Sequence, residues 1–207
     1  MSKRLFLPLI VLLALVPLTG LTFFWIQAPK VESAQFRNLE AISRLKAAQI
    51  QNWLREREGD AQALQRSRFL GEHIAKLVRD PGDPAGLRIM SDRLDILRTS
   101  YGYGSVMLLD GSVTPLLGVG EHPDISPAAR ILAQRAMTDG RIHHTDLLRD
   151  TEAHIHMDWV VPILLSPGSG EPARALIIMR AVPDRFLFPL IQTWPTASAS
   201  AESVLMR

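Results

Sequence analysis

Twenty-two residues, Leu5 to Ile26 (LFLPLIVLLALVPLTGLTFFWI), pass without a charged side chain. At a rise of 1.5 Å per residue, a helix of this length spans about 33 Å, enough for the hydrocarbon core of a bilayer. Pro8, Pro17 and Gly20 are tolerable in such a helix. Phe23, Phe24 and Trp25 sit at its far end, where an aromatic belt lies. A cleaved signal peptide is the rival reading. Its apolar core is about 7–15 residues and ends in small residues before the cut, whereas the sites on offer here, such as Glu32-Ser33-Ala34, carry an acid. The run therefore predicts an uncleaved anchor with the lipid bilayer as its partner. Lys3 and Arg4 precede it and only Lys30 follows closely. That asymmetry places the N-terminus in the cytoplasm and everything after about Gln27 outside, in a single-pass arrangement.

Beyond the run the chain is evenly charged. Without Lys3 and Arg4, the 23 Lys and Arg fall to 21, equal to the 21 Asp and Glu. No basic stripe with interleaved aromatics occurs, which argues against nucleic acid as a partner. There is no cysteine, which excludes disulfides, thiolate zinc sites and thiol catalysis. No P-loop, dinucleotide turn or zincin motif is present. The Ser-x-Gly of "SPGSGEP" lacks the strand–turn–helix setting of a hydrolase elbow. The chain reads as no enzyme, and no cofactor is expected.

Hydrophobic spacing gives the organisation. From Val31 to Val78 apolar residues (Leu39, Ile42, Leu45, Ile50, Trp53, Leu54, Ala61, Leu64) recur at three and four. This predicts a helix, broken or kinked near Gly59 and Gly71. It packs on its own domain, or stands as a stalk pairing with its twin in a homodimer. "DPGDPAG" (Asp80 to Gly86) is a loop, and Leu87 to Ser100 is helical again. The period then changes. "GYGSVMLLDGS" and "VTPLLGVG" are strands; Ser126-Pro127 opens a helix that stops at Asp139-Gly140. "RIHHTDLL", "AHIHMDWVVPILLS" and "ARALIIMRAV" are three more strands, the last two joined by the turn "PGSGEP". This order predicts an α+β fold: an antiparallel sheet with helices segregated on it. The boundaries are 1–28 for the cytoplasmic tip and membrane helix, 29–79 for the stalk and 80–184 for the sheet module. A short joint helix and the opening of a further strand at Val204-Leu205-Met206 occupy 185–207.

"FLFPLIQTWPTASASAE", "QIQNWLRERE" and "GYGSVMLLD" carry a resemblance. With the N-terminal membrane helix, the long helix and a five-stranded unit, they resemble the PAS-like, double-Cache periplasmic region of bacterial membrane sensors. Such regions occur in histidine kinases of two-component systems, diguanylate cyclases and chemoreceptors. The resemblance implies an inner-membrane protein with a periplasmic body. It implies signal transduction from a small ligand or a periplasmic binding partner through the stalk and a joint helix. Phe186, Pro189, Trp194 and Pro195 match the joint between two sensory modules. A second module, a second membrane helix and output domains are expected after it, outside this sequence. The aromatic/Arg/Asp signature of amino-acid-binding members is not intact here. The alternative is a membrane-anchored structural or interaction protein without a small-molecule ligand.

Two residue sets are candidates for chemistry. Tyr101, Tyr103, Asp146 and Arg149 fall at strand ends, which line a ligand cleft in a PAS-like unit; an Arg there would grip a carboxylate in a fork. His154, His156 and Asp158 alternate on one strand and so share a face. They could ligate a divalent metal, with His143 or His144 completing the set, or sense pH. The plain reading of the same face is a polar outer surface opposite an apolar one.

Overall fold

A computed structural model describes the backbone of residues 3–121, 123–150, 152–165 and 174–193. Helix α1 spans Lys3–Gln65. The chain divides into two units, Met1–Gln49 and Ile50–Arg207. In the first, the apolar run lies within α1. Its described side chains, Leu13 and residues 15–23, are all exposed. They are too few to make up a span, and among the described residues no helix is long and apolar enough to cross a membrane.

The second unit continues with α2 (Arg68–Arg79), α3 (Pro84–Tyr101), β1 (Ser105–Leu109), β2 (Pro115–Gly120), α4 (Pro127–Asp139), β3 (His143–His144), β4 (Leu148–Arg149), β5 (Ile155–Leu164), β6 (Arg174–Ala181), a 3-10 turn (Pro183–Arg185) and α5 (Leu187–Gln192). Local chemistry sets the ends. Ser67, Asp83 and Ser126 cap α2, α3 and α4, each accepting a backbone N–H from the first turn. Gly102 and Gly140 close α3 and α4 in the left-handed conformation, at φ 73° and 68°. The expected breaks at Gly59 and Gly71 do not occur, since both glycines lie inside helices; the interruption is at Arg66–Ser67. Gly71 serves packing instead: a Cβ there would sit 2.5 Å from the carbonyl oxygen of Leu164.

The strands form an antiparallel sheet in the order β2-β1-β6-β5-β3, with β4 pairing β5 separately. The expected third strand is thus two short pieces. They part at Thr145, whose Oγ1 accepts the Asp158 N–H where a regular ladder would use a carbonyl. The turn "PGSGEP" lies outside the described residues. Central β6 (RALIIMRA) has every residue but Arg174 buried, because both faces of the sheet are covered. Pro162 of β5 lies beyond the two-residue β3, where a missing N–H takes nothing from the ladder.

One face of the sheet carries Val106, Leu108, Met157, Trp159, Val161, Ile163, Ile177 and Met179. These pack with Trp53 and Ala61 of α1, Leu70, Ile74 and Leu77 of α2, and Met90 and Leu94 of α3. The other carries Met107, Leu109, Val160, Leu176 and Ile178 against Ala129, Ala133 and Ala136 of α4. The alanines recur at four and three, so one bare stripe of α4 lies against the strands. The face of β5 expected to be a polar exterior is therefore an interior.

Candidate functional site

The α4-covered face changes character along its strands. Moving by twos, β1 gives Leu109, Met107, Ser105; β6 gives Leu176, Ile178, Arg180; β5 gives Val160, Asp158, His156. Register places Ser105 and Asp158 opposite Arg180 on either side. The apolar half ends in a polar row, and all four polar residues are buried.

Charge pairing organises this row. Arg180 Nε donates to Asp158 Oδ1 at 2.9 Å and Nη2 to Oδ2 at 3.3 Å. Nη1 donates to Asp124 Oδ1 and Nη2 to the Asp124 carbonyl, both at 2.8 Å. Ser126, the cap of α4, donates its hydroxyl to Asp158 Oδ2 at 3.1 Å, which ties the helix start to the sheet. Burial raises the pKa of Asp158, but the contacts with His156 and Arg180 outweigh it and hold the carboxyl below the ordinary range. Burial acts against the charged form of Arg180 as well; Asp158 and Asp124 overcome it, and the guanidinium stays protonated.

His156 is not satisfied by this network. Its ring is 2% exposed, and neither ring nitrogen has a hydrogen-bond partner. Nε2 lies 3.5 Å from Asp158 Oδ2, beyond a normal hydrogen bond. The buried Ser105 hydroxyl is also unpartnered. Such groups carry a free-energy cost when nothing answers them. His156 lines a cavity of about 80 Å³ together with Gly104, Glu121, Asp150, Arg180 and Asp184. A tight loop shapes one rim. Asp150 Oδ1 accepts the N–H groups of Glu152 and His154 at 2.9 and 2.8 Å, and Ala153 is left-handed at φ 69°. That loop brings His154 to the same cavity. Its backbone bonds and those from His154 lower the Asp150 pKa, outweighing desolvation, the largest opposing effect.

The expected ligand set Tyr101, Tyr103, Asp146 and Arg149 is not assembled. Tyr101, Asp146 and Arg149 are exposed, and none of the four lines the cavity. Tyr103 is wholly buried. Its hydroxyl donates to Asp60 Oδ2 at 3.1 Å, and the Arg57 guanidinium lies 5.0 Å from its ring centroid. Burial, the largest effect, pushes both the Tyr103 and Asp60 pKa values up.

The metal set does not come together either. His154 turns to Asp150 and Glu152, and Arg180 occupies both oxygens of Asp158. His143 pairs with Asp139, and His144 packs on Trp159. No group of three His, Asp or Glu among the described residues is arranged to hold a metal. Arg180 and the two acids Asp124 and Asp158 are what sequence reading missed as a unit. The signal was a lone Arg in the run ALIIMRAV, since a charge inside a central strand requires a buried partner.

The segment Gly102–Gly104 touches several elements. Arg57 of α1 donates to the Tyr101 carbonyl at 2.6 Å, and Arg185 donates to the Tyr103 carbonyl at 3.0 Å. Gly104 lies so close to Val182 that a Cβ there would be 2.5 Å from its Cγ2. Phe186, from the expected joint, stacks on Trp53 of α1 with centroids 6.0 Å apart. Pro189 lies in α5 and accepts from Thr193 through its carbonyl. Trp194 and Pro195 lie outside the described residues.

No protein-family model and no curated protein matches the chain. Solved structures do. The extracellular domain named as that of histidine kinase vpHK1S-Z8 matches at a TM-score of 0.55 and 15% identity, over 74% of this chain and 60% of that one. The ligand-binding domain of the Campylobacter jejuni chemoreceptor Tlp3, in complex with L-norvaline, matches at 0.56 and 13%, over 78% and 64%. A further structure of the Tlp3 sensory domain matches at 0.57 and 14%, over 79% and 66%. The chain spans just under two thirds of the length of these domains. Its α+β fold, a long helix with an antiparallel sheet, matches that of these sensory domains of a histidine kinase and a chemoreceptor.

Proposed function

We propose that residues 50–207 form an extracytoplasmic sensory module that binds a small ligand in the cavity beside His156 and Arg180. One observation carries the reading: a nine-tenths-buried histidine with no hydrogen-bond partner faces a small cavity rimmed by charged residues. In a fold shared with sensory ligand-binding domains, that is the place where an absent partner would satisfy a buried polar group. The apolar run Leu5–Ile26 would anchor the chain in the bacterial inner membrane, with the body in the periplasm and the stalk pairing in a homodimer. Ligand would act through its different affinity for two arrangements of the module. The Tyr101–Gly104 segment, bonded to Arg57 through the Tyr101 carbonyl and to Arg185 through the Tyr103 carbonyl, with Gly104 at the cavity, would pass the change to α1 and to the joint at Phe186–Pro195. Output domains of the histidine kinase or diguanylate cyclase kind would receive it.

The test is a thermal-shift screen of the full chain in detergent against small organic acids, amines, amino acids and purines. A ligand at 100 times its dissociation constant adds about 2.7 kcal/mol. The expected result is a stabiliser whose effect disappears in His156→Leu. A folded protein that no compound stabilises would contradict the reading. A cavity of only about 80 Å³ favours the second reading, a membrane-anchored interaction protein, and that result would select it.

A further inference from the structure

We infer that a second cavity, at the other end of β5, takes a small carboxylate with one negative charge and an aliphatic body. Arg66 and Arg68 line it with Glu72, Leu164 and Leu165. It lies where α1 gives way to α2, against the last residues of β5. His156 and Leu164 are eight residues apart on that strand, roughly 26 Å at 3.3 Å per residue. The site is therefore separate from the polar row and does not depend on the sensory reading of it.

Three observations converge. The first is charge. Arg68 Nε lies 3.4 Å from Glu72 Oε1, and these two charges cancel. The Arg66 side chain forms no ion pair or hydrogen bond among the described residues. The wall is left with one uncompensated positive charge, which matches one carboxylate, and a guanidinium offers it two parallel N–H donors. The neighbouring polar groups are already engaged. Ser67 Oγ accepts the Leu70 N–H at 3.3 Å, and Gln65 donates to the Gly140 carbonyl at 3.0 Å. The attraction thus comes from Arg66 and not from the start of α2.

The second is the apolar wall. Every residue of β5 from His156 to Ile163 is buried, yet Leu164 is 42% exposed, and the surface it exposes lines this cavity. An inorganic anion would leave that surface wet; an aliphatic body would cover it.

The third is room. The cavity holds about 450 Å³, against about 80 Å³ beside His156. Small-molecule sites run from about 300 to 1,000 Å³. Gly71 fixes one wall, because only a residue without Cβ lets α2 lie against the Leu164 carbonyl.

Isothermal titration of the full chain in a non-ionic detergent would use sodium butyrate, sodium formate and butylammonium chloride at equal ionic strength. Saturable heat is expected with butyrate. Formate, which lacks the body, should bind at least about tenfold more weakly, the burial of two methylene groups, and butylammonium should not bind. Arg66→Gln, at an exposed position, should leave the melting temperature unchanged and weaken butyrate by at least about tenfold, the loss of a hydrogen bond to a charged group. Arg149→Gln removes the same charge from an exposed site outside both cavities and should change nothing. Butyrate binding at wild-type affinity in Arg66→Gln, or an equal loss in both variants, would overturn the location. Formate binding as tightly as butyrate, or saturable heat with butylammonium, would overturn the ligand class. Silence from all three probes would overturn the site and leave the cavity beside His156 to its own thermal-shift screen.

Discussion

Removing Arg180 should unfold the protein more readily than removing any partner around it. Arg180→Met keeps the aliphatic stem and takes away the guanidinium. Asp158, wholly buried, then keeps the Ser126 hydroxyl and the distant His156 ring but loses both charge-assisted bonds. Breaking a buried pair by deleting one partner costs about 3–5 kcal/mol. At roughly 2–4 °C per kcal/mol for a domain of this size, the melting temperature should fall by about 6–20 °C. The pH dependence has a definite sign. In the wild type the folded pKa of Asp158 is depressed, so its contribution is complete above the ordinary carboxylate range and is lost as pH falls through the depressed value. In Arg180→Met burial is opposed by the His156 contact alone, so the folded pKa lies above its wild-type value and the variant's deficit shrinks as pH falls. Melting curves at about pH 7.5 and pH 4.5 should show the gap between the two proteins closing at the lower pH. Arg180→Met with Asp158→Leu should recover most of the loss, because no unpaired charge remains. A single variant within about 1 kcal/mol of wild type, or a gap that widens in acid, would refute the reasoning.

Other substitutions test the supporting geometry. Asp124→Ala should cost less than about 1 kcal/mol, since its carboxylate is mostly exposed; a loss equal to that of Arg180→Met by chemical denaturation would show that Asp158 is not the main partner. Ala153→Gly should stabilise by about 1 kcal/mol, because Ala153 is exposed and left-handed at φ 69°; a lower melting temperature would contradict the loop conformation. Gly71→Ala should destabilise by about 1–3 kcal/mol through the close approach to the Leu164 carbonyl, and a neutral result by urea titration would contradict that packing. Tyr103→Phe should cost about 1 kcal/mol through its bond to Asp60, read in the same way.

Much of the fold was legible because its signals are local. Ser126-Pro127 and Asp139-Gly140 bracket α4 in the sequence as they do in space, and short apolar runs between turn residues mark β1, β2, β5 and β6. What failed depended on partners distant in the chain. Gly71 read as a break, yet it is the notch that lets α2 approach β5. The alternation His154, His156, Asp158 was correctly placed on one face, but a polar face could not announce that α4 would cover it. Tyr103 sits beside a strand entry in the sequence, and only the return of α1 puts Arg57 and Asp60 around it. Arg180 and Asp158 are 22 residues apart and meet solely because β5 and β6 pair in that register. The site was half visible for the same reason. In the sequence its histidine reads as a metal ligand, whereas the arginine that occupies its neighbouring acid carries only the weaker signal of a charge within an apolar run.

The measurement that tests the account most directly is side-chain nitrogen NMR of the histidines in the full chain, titrated with the strongest stabiliser from the ligand screen. The ring-nitrogen resonances of His156 should move in a saturable way as the unpartnered ring gains a partner, while His73, on α2 and already bonded to the Phe69 carbonyl, stays in place. A stabiliser that saturates the protein and leaves His156 unmoved would contradict the claim that ligand is sensed at this buried polar row.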